Sequence, residues 1–192
     1  MQPTQNTRNA SGLSPRVPGS TRSAAATANT VQAASHESAI KLLGIWRLGA
    51  PIYASAHSRL FTAQPADADG SPRFDYVIRA VSDNREHRDQ SIAQLERFVA
   101  AASVACHPNL IVVLDSSLHS ANPFLVMPRL SGASLAQIMA TSTPQPLPVI
   151  LWTVRQAAQA LASLHQASWL HGDVKPENLF MSEQGHLTLL DL

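Results

Sequence analysis

The chain is short of charge. Only 14% of its 192 residues are Asp, Glu, Lys or Arg, and the formal net charge is +1. A balance this close to neutral gives no electrostatic case for nucleic acid or for an anionic membrane surface as a partner. There is one cysteine, Cys106, which excludes an internal disulfide and fits a reducing compartment, with the cytoplasm as default. No apolar run approaches the roughly 18 residues that a membrane helix needs. The eight histidines show no metal-ligand spacing. Acidic residues are missing from the first 35 positions, which hold three arginines (Arg8, Arg16, Arg22) among many Ser, Thr, Ala, Asn and Gln. Such a segment buries too little apolar surface to offset its ordering entropy, so residues 1–37 are expected to form a disordered tail. An organellar transit peptide has a similar make-up, but a plain flexible tail is the commoner case. What remains, residues 38–192, has room for one domain, and the chain's hydrophobic content of 45% is that of a globular protein.

The informative stretch is Leu170-His171-Gly172-Asp173-Val174-Lys175-Pro176-Glu177-Asn178-Leu179-Phe180, followed by Leu189-Leu190-Asp191. Two apolar-rich runs, 178–181 and 186–190, flank Ser182-Glu183-Gln184-Gly185, which reads as a β-hairpin with a Gly-containing turn. The hairpin is expected to place Asn178 opposite Asp191, and directly opposed residues have Cβ atoms about 5 Å apart. An amide oxygen and a carboxylate at that separation suit a pair of hard cations such as Mg²⁺. Asp173, one short loop upstream, is placed to orient or deprotonate an attacking hydroxyl, and Lys175 to neutralise a phosphoryl group in flight. A polar loop matching by chance is the competing explanation, and the intact Lys-Pro-Glu-Asn run weighs against it.

This constellation resembles the catalytic loop and metal-binding aspartate of eukaryotic-type (Hanks-type) protein kinases, whose motif H-R-D-x-x-x-x-N is followed, one hairpin later, by Asp-Phe-Gly. The resemblance implies Asp173 and Lys175 as catalytic residues, Asn178 and Asp191 as Mg²⁺ ligands, and ATP as phosphoryl donor. Lysine two residues after the aspartate points to the serine/threonine branch. Two departures stand out. Gly172 replaces the motif arginine, which removes the cation that would receive an activation-loop phosphate. The chain stops at Leu192, where the family has Phe, so the family's downstream segments are expected to be missing, as in a truncated fragment.

The order of elements agrees with an α+β, bilobal kinase-like fold: an upper lobe over about 40–127, a hinge at 128–133 and a partial lower lobe over 134–192. Expected strands are 45–48, 58–63, 74–81, 110–114 and 123–127, five in all. On the third, Phe74, Tyr76 and Ile78 face one side and Val77, Arg79 and Val81 the other. A helix over 89–105 carries Ile92, Leu95, Val99, Ala102 and Cys106 on one stripe, which makes Cys106 a buried apolar residue. Ser91 and Gln94 would form a capping box at its start. A short helix follows over 134–140. Pro148 suits the first turn of another, with Ile150, Val154, Ala157, Leu161 and Leu164 on its buried face. With downstream segments missing, that face is expected to lie open as an apolar patch prone to association, leaving the isolated chain poorly soluble or inactive.

Further motifs fall in the family's order. His107-Pro108-Asn109-Leu110 resembles the connection from the upper-lobe helix to its fourth strand. Leu125-Val126-Met127-Pro128-Arg129-Leu130-Ser131-Gly132-Ala133-Ser134-Leu135 resembles the hinge. Pro128 lacks an N–H, but adenine needs only its carbonyl and the N–H of Leu130, with Met127 behind the ring. The Gly-rich loop would fall at 48–56, where only Gly49 remains; Ala, Pro and Ser hinder the backbone's approach to phosphate. In Tyr76-Val77-Ile78-Arg79 the phosphate-gripping lysine is Arg79, which is not a conservative exchange. The position of its glutamate partner holds Phe98, and Glu96, the nearest carboxylate, points about 200° away around the helix. An exposed strand cation is therefore the competing reading of Arg79. The implied nucleotide-binding set is Gly49, Val77, Arg79, Met127, Pro128 and Leu130.

Three functions compete. The favoured one is an ATP- and Mg²⁺-dependent kinase acting on Ser/Thr hydroxyls of a protein substrate. A pseudokinase, keeping the fold as a nucleotide-binding or scaffold module, draws support from the lost glycines, Arg79 and Phe98. A small-molecule kinase of the aminoglycoside or choline type shares His-Gly-Asp with a later Asn, but Lys175-Pro176-Glu177 and the hinge look like protein kinases.

Overall fold

The computed structural model describes residues 41–192 except 69, 71, 142 and 143; the expected tail at 1–37 lies outside them. An alternating pattern at residues 74–81 sets the upper half. Strand β4 (Tyr76–Val81) sends Ile78 and Ala80 into a core with Trp46, Ala63, Phe124 and Val126. Its opposite face sends Val81 into a second core with Leu95, Phe98, Ile111 and Leu125. This period-2 split is what a sheet covered on both faces demands.

Around β4 lie β1 (Leu42–Leu43), β2 (Trp46–Ala54), β3 (Ser58–Pro65), β5 (Asp115–Ser117) and β6 (Phe124–Pro128), in the antiparallel order β1-β2-β3-β4-β6-β5. The sheet thus has six strands rather than the expected five. Residues 110–114, expected as a strand, are not one. Their N–H groups are drawn elsewhere: Ile111 donates to Leu189 at 3.0 Å and Leu114 to Val126 at 2.8 Å. β2 runs through most of the segment expected as a Gly-rich loop, and its turn falls at the end of that segment, at Ser55–His57. Trp46 anchors the far edge, its indole Nε1 donating to Asp115 at 2.8 Å while its ring meets Tyr76 edge-on.

Helix α1 (Arg88–Val104) packs on the sheet through Ser91, Leu95, Phe98 and Ala101, with Ala105 buried just beyond its end. Cys106 is exposed, contrary to expectation. The helix is so rich in alanine that its apolar stripe has no sharp phase, and the true stripe runs about one residue off the expected one. Ser91 is not a cap. The helix begins three residues earlier, and the Ser91 hydroxyl donates back to the His87 carbonyl at 2.7 Å.

The lower half begins with β7 (Ala133–Ser134) and α2 (Leu135–Ala140), where Ser134 and Gln137 form a reciprocal capping box. Gly132 has φ +136, and a Cβ there would stand 2.1 Å from the Met181 carbonyl oxygen, so only glycine fits. Helix α3 (Leu147–Gln166) starts as expected with Pro148 in its first turn. Its buried face is Gln156, Ala160 and Leu164; of the expected line Leu164 is buried, whereas Ile150 and Val154, 45% and 59% exposed, lie open, as expected where downstream segments are missing. With Leu147, Val149, Leu151 and Trp152 also exposed, the first two turns of α3 carry an open apolar surface. Strands β8 (Leu179–Met181) and β9 (Leu187–Leu189) close a second, three-stranded sheet, β7-β8-β9.

Halves and loops meet at a buried polar clasp. The Asn109 amide donates to Gln156 Oε1 (3.0 Å) and to the Leu187 carbonyl (2.6 Å). Gln156 Oε1 also accepts from the Leu187 N–H (3.0 Å), and its Nε2 donates to the Gly185 carbonyl (2.9 Å). Four groups that would be costly to bury alone satisfy one another. The clasp holds α3 and the segment after α1 against the hairpin that carries the site.

Candidate active site

The loop at 171–178 is shaped by a glycine and a histidine. His171 is buried, its Nε2 lies 2.7 Å from the Leu190 carbonyl, and its Nδ1 accepts the Asp173 N–H at 3.2 Å. A carbonyl against one nitrogen and an N–H against the other fix the tautomer with hydrogen on Nε2. Gly172 between them has φ +78, a conformation that a side-chain-bearing residue adopts only with strain. The glycine thus lets the backbone fold back on the histidine ring, and an arginine at this position would have to adopt the same left-handed backbone.

Asp173 then gathers its neighbours. Lys175 Nζ lies 2.5 Å from its Oδ2, and the Asn178 amide donates to its carbonyl (2.9 Å) and to its Oδ2 (3.1 Å). The hydrogen bond from Lys175, reinforced by that residue's charge and by Asn178, holds the Asp173 carboxyl below the usual carboxylate range. The same bond pushes Lys175 above the usual lysine range. Asp173 is therefore an ionised acceptor and Lys175 a charged donor at any physiological pH.

The hairpin register differs by one residue from the expected one. Leu179 pairs with Leu189, and Leu190 N–H donates to the Asn178 carbonyl at 2.8 Å, so Asn178 stands beside Leu190 rather than Asp191. The turn holds an odd number of residues, 183–185, between the Ser182–His186 backbone pair, so a count from the four-residue turn 182–185 misses this register. Asp191, next along and at φ +58, sends its carboxylate up to Arg79, with which it forms an ion pair.

Arg79 comes from the middle of β4, flanked across the sheet by Leu60 and Leu125. Its side chain is only 17% exposed, which rules out the reading of a solvated strand cation. Its guanidinium carbon lies 5.7 Å from the centroid of the Phe98 ring. Glu96 is exposed on α1, as its position on the helix requires.

These groups surround a cavity of about 890 Å³ between the two halves, lined by Leu60, Arg79, Phe98 and Met127 above and by Asp173, Lys175, Asn178, Leu190 and Asp191 below. Val77 is buried behind this wall, paired with Met127 across the strands. Besides Val77, three residues of the expected nucleotide-binding set do not line it. Gly49 lies within β2, where a Cβ would stand 2.4 Å from Thr62 Oγ1 and 2.7 Å from the Phe74 ring, so its glycine serves sheet packing. Pro128 pairs with Tyr76 at the end of β6, and Leu130 packs into the α1 core.

The end of the segment expected as the Gly-rich loop does line the cavity, through Tyr53 and Ser55, together with His57 and Ser58 just beyond it, although its tip contains no glycine. Ser55 Oγ accepts the N–H groups of His57 (3.3 Å) and Ser58 (3.1 Å). Two backbone donors in the turn are thereby met by the chain's own hydroxyl.

As to a metal, no group of three or more His, Cys, Asp or Glu side chains among the described residues could hold one. Asn178 and Asp191 instead offer two hard oxygen donors at the cavity floor. That is too few for an all-protein cage and typical of Mg²⁺ sites completed by water and substrate phosphates.

A twisted antiparallel sheet with one packed helix, set over a His-Gly-Asp loop and a hairpin ending in aspartate, defines the protein-kinase class of fold. The chain belongs to that family: the protein kinase domain model matches residues 74–192. It is 32% identical over 118 residues to the serine/threonine-protein kinase PknL of Mycobacterium tuberculosis, covering 60% of this chain and 29% of PknL. It is 30% identical over 105 residues to the probable serine/threonine-protein kinase pknA2 of Bifidobacterium longum, covering 55% of this chain and 14% of that protein. The chain thus spans less than a third of these relatives' length. The crystal structure of the M. tuberculosis PknI kinase domain superposes with a TM-score of 0.62 at 24% identity, over 77% of this chain and 58% of that one, a likeness of fold. Among the described residues, no helix is long and apolar enough to cross a membrane.

Proposed function

We propose that this chain carries the phosphoryl-transfer centre of a serine/threonine protein kinase, with ATP as donor and a protein hydroxyl as acceptor. The observation that carries the reading is the convergence of Asp173, Lys175, Asn178, Asp191 and Arg79 on one cavity from five separate positions in the chain. In this reading Asp173, held ionised by Lys175, accepts the proton of the attacking hydroxyl. Lys175 then turns its charge to the transferring phosphoryl group. Arg79 grips the phosphates, and Met127 and Leu60 form an apolar wall for the base. Asn178 and Asp191 would hold Mg²⁺, which would supply positive charge to neutralise the phosphates. The cytoplasm is the compartment that suits such chemistry and the lone exposed thiol. The domain would then extend from 38 to 192, with the hinge at 128–133.

One observation favours a second reading, a nucleotide-binding module without catalysis. The hairpin tip has no glycine, and its turn amides are met by Ser55. A single-turnover assay with labelled ATP and Mg²⁺ separates the two. Transfer that is lost in Asp173→Asn, with nucleotide binding retained, is the expected result. Binding without any transfer by the unsubstituted protein would overturn the enzyme reading in favour of the module.

A further inference from the structure

The phosphate grip has lost its carboxylate partner, yet Arg79 is not loose. Its side chain is mostly buried and paired with Asp191, and its guanidinium stands over the Phe98 ring. Phe98 occupies the helix position where an acid was expected, is 2% exposed, and lines the same cavity as Arg79. A guanidinium over an aromatic face is held by the ring quadrupole and by planar stacking, which suit arginine better than lysine.

We propose that Phe98 is the positioning residue for Arg79, an aromatic seat that replaces the acid–base pair and aims the guanidinium at the phosphates of a bound nucleotide. This rests on the nucleotide-binding reading above. The seat differs from a carboxylate in kind. A carboxylate partner would neutralise the cation and compete with phosphate for it. A ring holds the cation in place and leaves its N–H donors free, so that only Asp191 must be exchanged for phosphate. The pairing of Arg with Phe, rather than Lys with Glu, therefore reads as a matched change of both partners.

Two measurements on the 192-residue chain test it. Without nucleotide, the Arg79 side-chain protons should show upfield ring-current shifts in NMR that vanish in Phe98→Leu and persist in Phe98→Tyr; unshifted protons in the parent protein would overturn the seat. With MgATP, Phe98→Leu should weaken binding about fivefold, while Phe98→Tyr retains it. In an Arg79→Met background Phe98→Leu should add nothing, since the two substitutions act on one interaction. A loss of equal size in both backgrounds would mean that Phe98 serves packing alone. No MgATP binding by the parent protein, with the ring-current shifts present, would overturn the nucleotide reading and the seat's role in it, while the Arg79–Phe98 contact itself would stand.

Discussion

Below the cavity, Asp173 holds Lys175 and Asn178 within 3.1 Å, and His171 ties their loop to Leu190. Above it, the residues that face the same space come from a glycine-free turn, an arginine and a phenylalanine. The lower wall draws most of its side chains from eight consecutive positions, 171–178, with Leu190 and Asp191 from the hairpin beside them, and such a set changes only by losing a member. The upper wall depends on backbone access and on one cation, and both requirements can be met in more than one way. The difference teaches where substitutions can accumulate: a grip tolerates a new partner, whereas a proton acceptor does not.

The contrast breaks most sharply at Asp173. Asp173→Asn should reduce single-turnover phosphoryl transfer by about 10²- to 10⁴-fold, with nucleotide affinity changed little. Comparable loss of affinity would place Asp173 in ground-state binding instead. Next comes the scaffold common to both walls. Gln156→Leu leaves the Asn109 amide, the Leu187 N–H and the Gly185 carbonyl without their partner, and should lower the unfolding free energy by about 2 kcal/mol in urea titration. A change under about 0.5 kcal/mol would show that water replaces the clasp.

Smaller effects sharpen the upper wall. Gly49→Ala forces Thr62 and Phe74 apart and should destabilise by about 1–3 kcal/mol without altering nucleotide affinity per folded molecule. Altered affinity would return Gly49 to the phosphate site. Ser55→Ala frees the His57 and Ser58 amides and should tighten nucleotide binding about threefold, the equivalent of roughly one modest hydrogen bond; weaker binding would make Ser55 itself a phosphate donor.

The smallest effect is titrational. The folded-state pKa of Asp173 lies below its unfolded one, so its contribution to stability is present above the unfolded pKa and fades as pH falls through the folded one. Its carboxyl resonance should titrate below the ordinary aspartate range and move back up in Lys175→Met. An unmoved midpoint would show that the Lys175 contact is absent in solution.

Much of the lower wall was legible in the sequence because its chemistry is local: residues 171–178 needed no long-range geometry to be recognised. The upper wall was not. Gly49 attracted attention because glycine is a visible marker, whereas the tip, Ser55–His57, at the far end of the expected segment 48–56, has ordinary residues and is fixed by the pairing of β2 with β3. The register at Asn178 was missed because the turn holds three residues between Ser182 and His186, where four turn residues were expected. Cys106 was misplaced because alanines at 93, 100, 101, 102 and 105 make several helix faces equally apolar. Gln156 carried no signal at all, since a polar residue in an apolar helix points outward by default. Only the folded chain reveals the four groups that make its burial favourable.

That clasp also bears on the time course of folding. Its bonds join residues 47 and 78 positions apart, so the chain must close long loops before either bond can form. Contacts of that kind close after the local sheet and helices have assembled, and energy gained late in assembly is spent on the reverse barrier. Asn109 and Gln156 should therefore govern how long a folded molecule lasts, and hardly at all how quickly it arises. Gln156→Leu is expected to steepen the loss of protein in a protease chase while leaving refolding rates close to those of the parent.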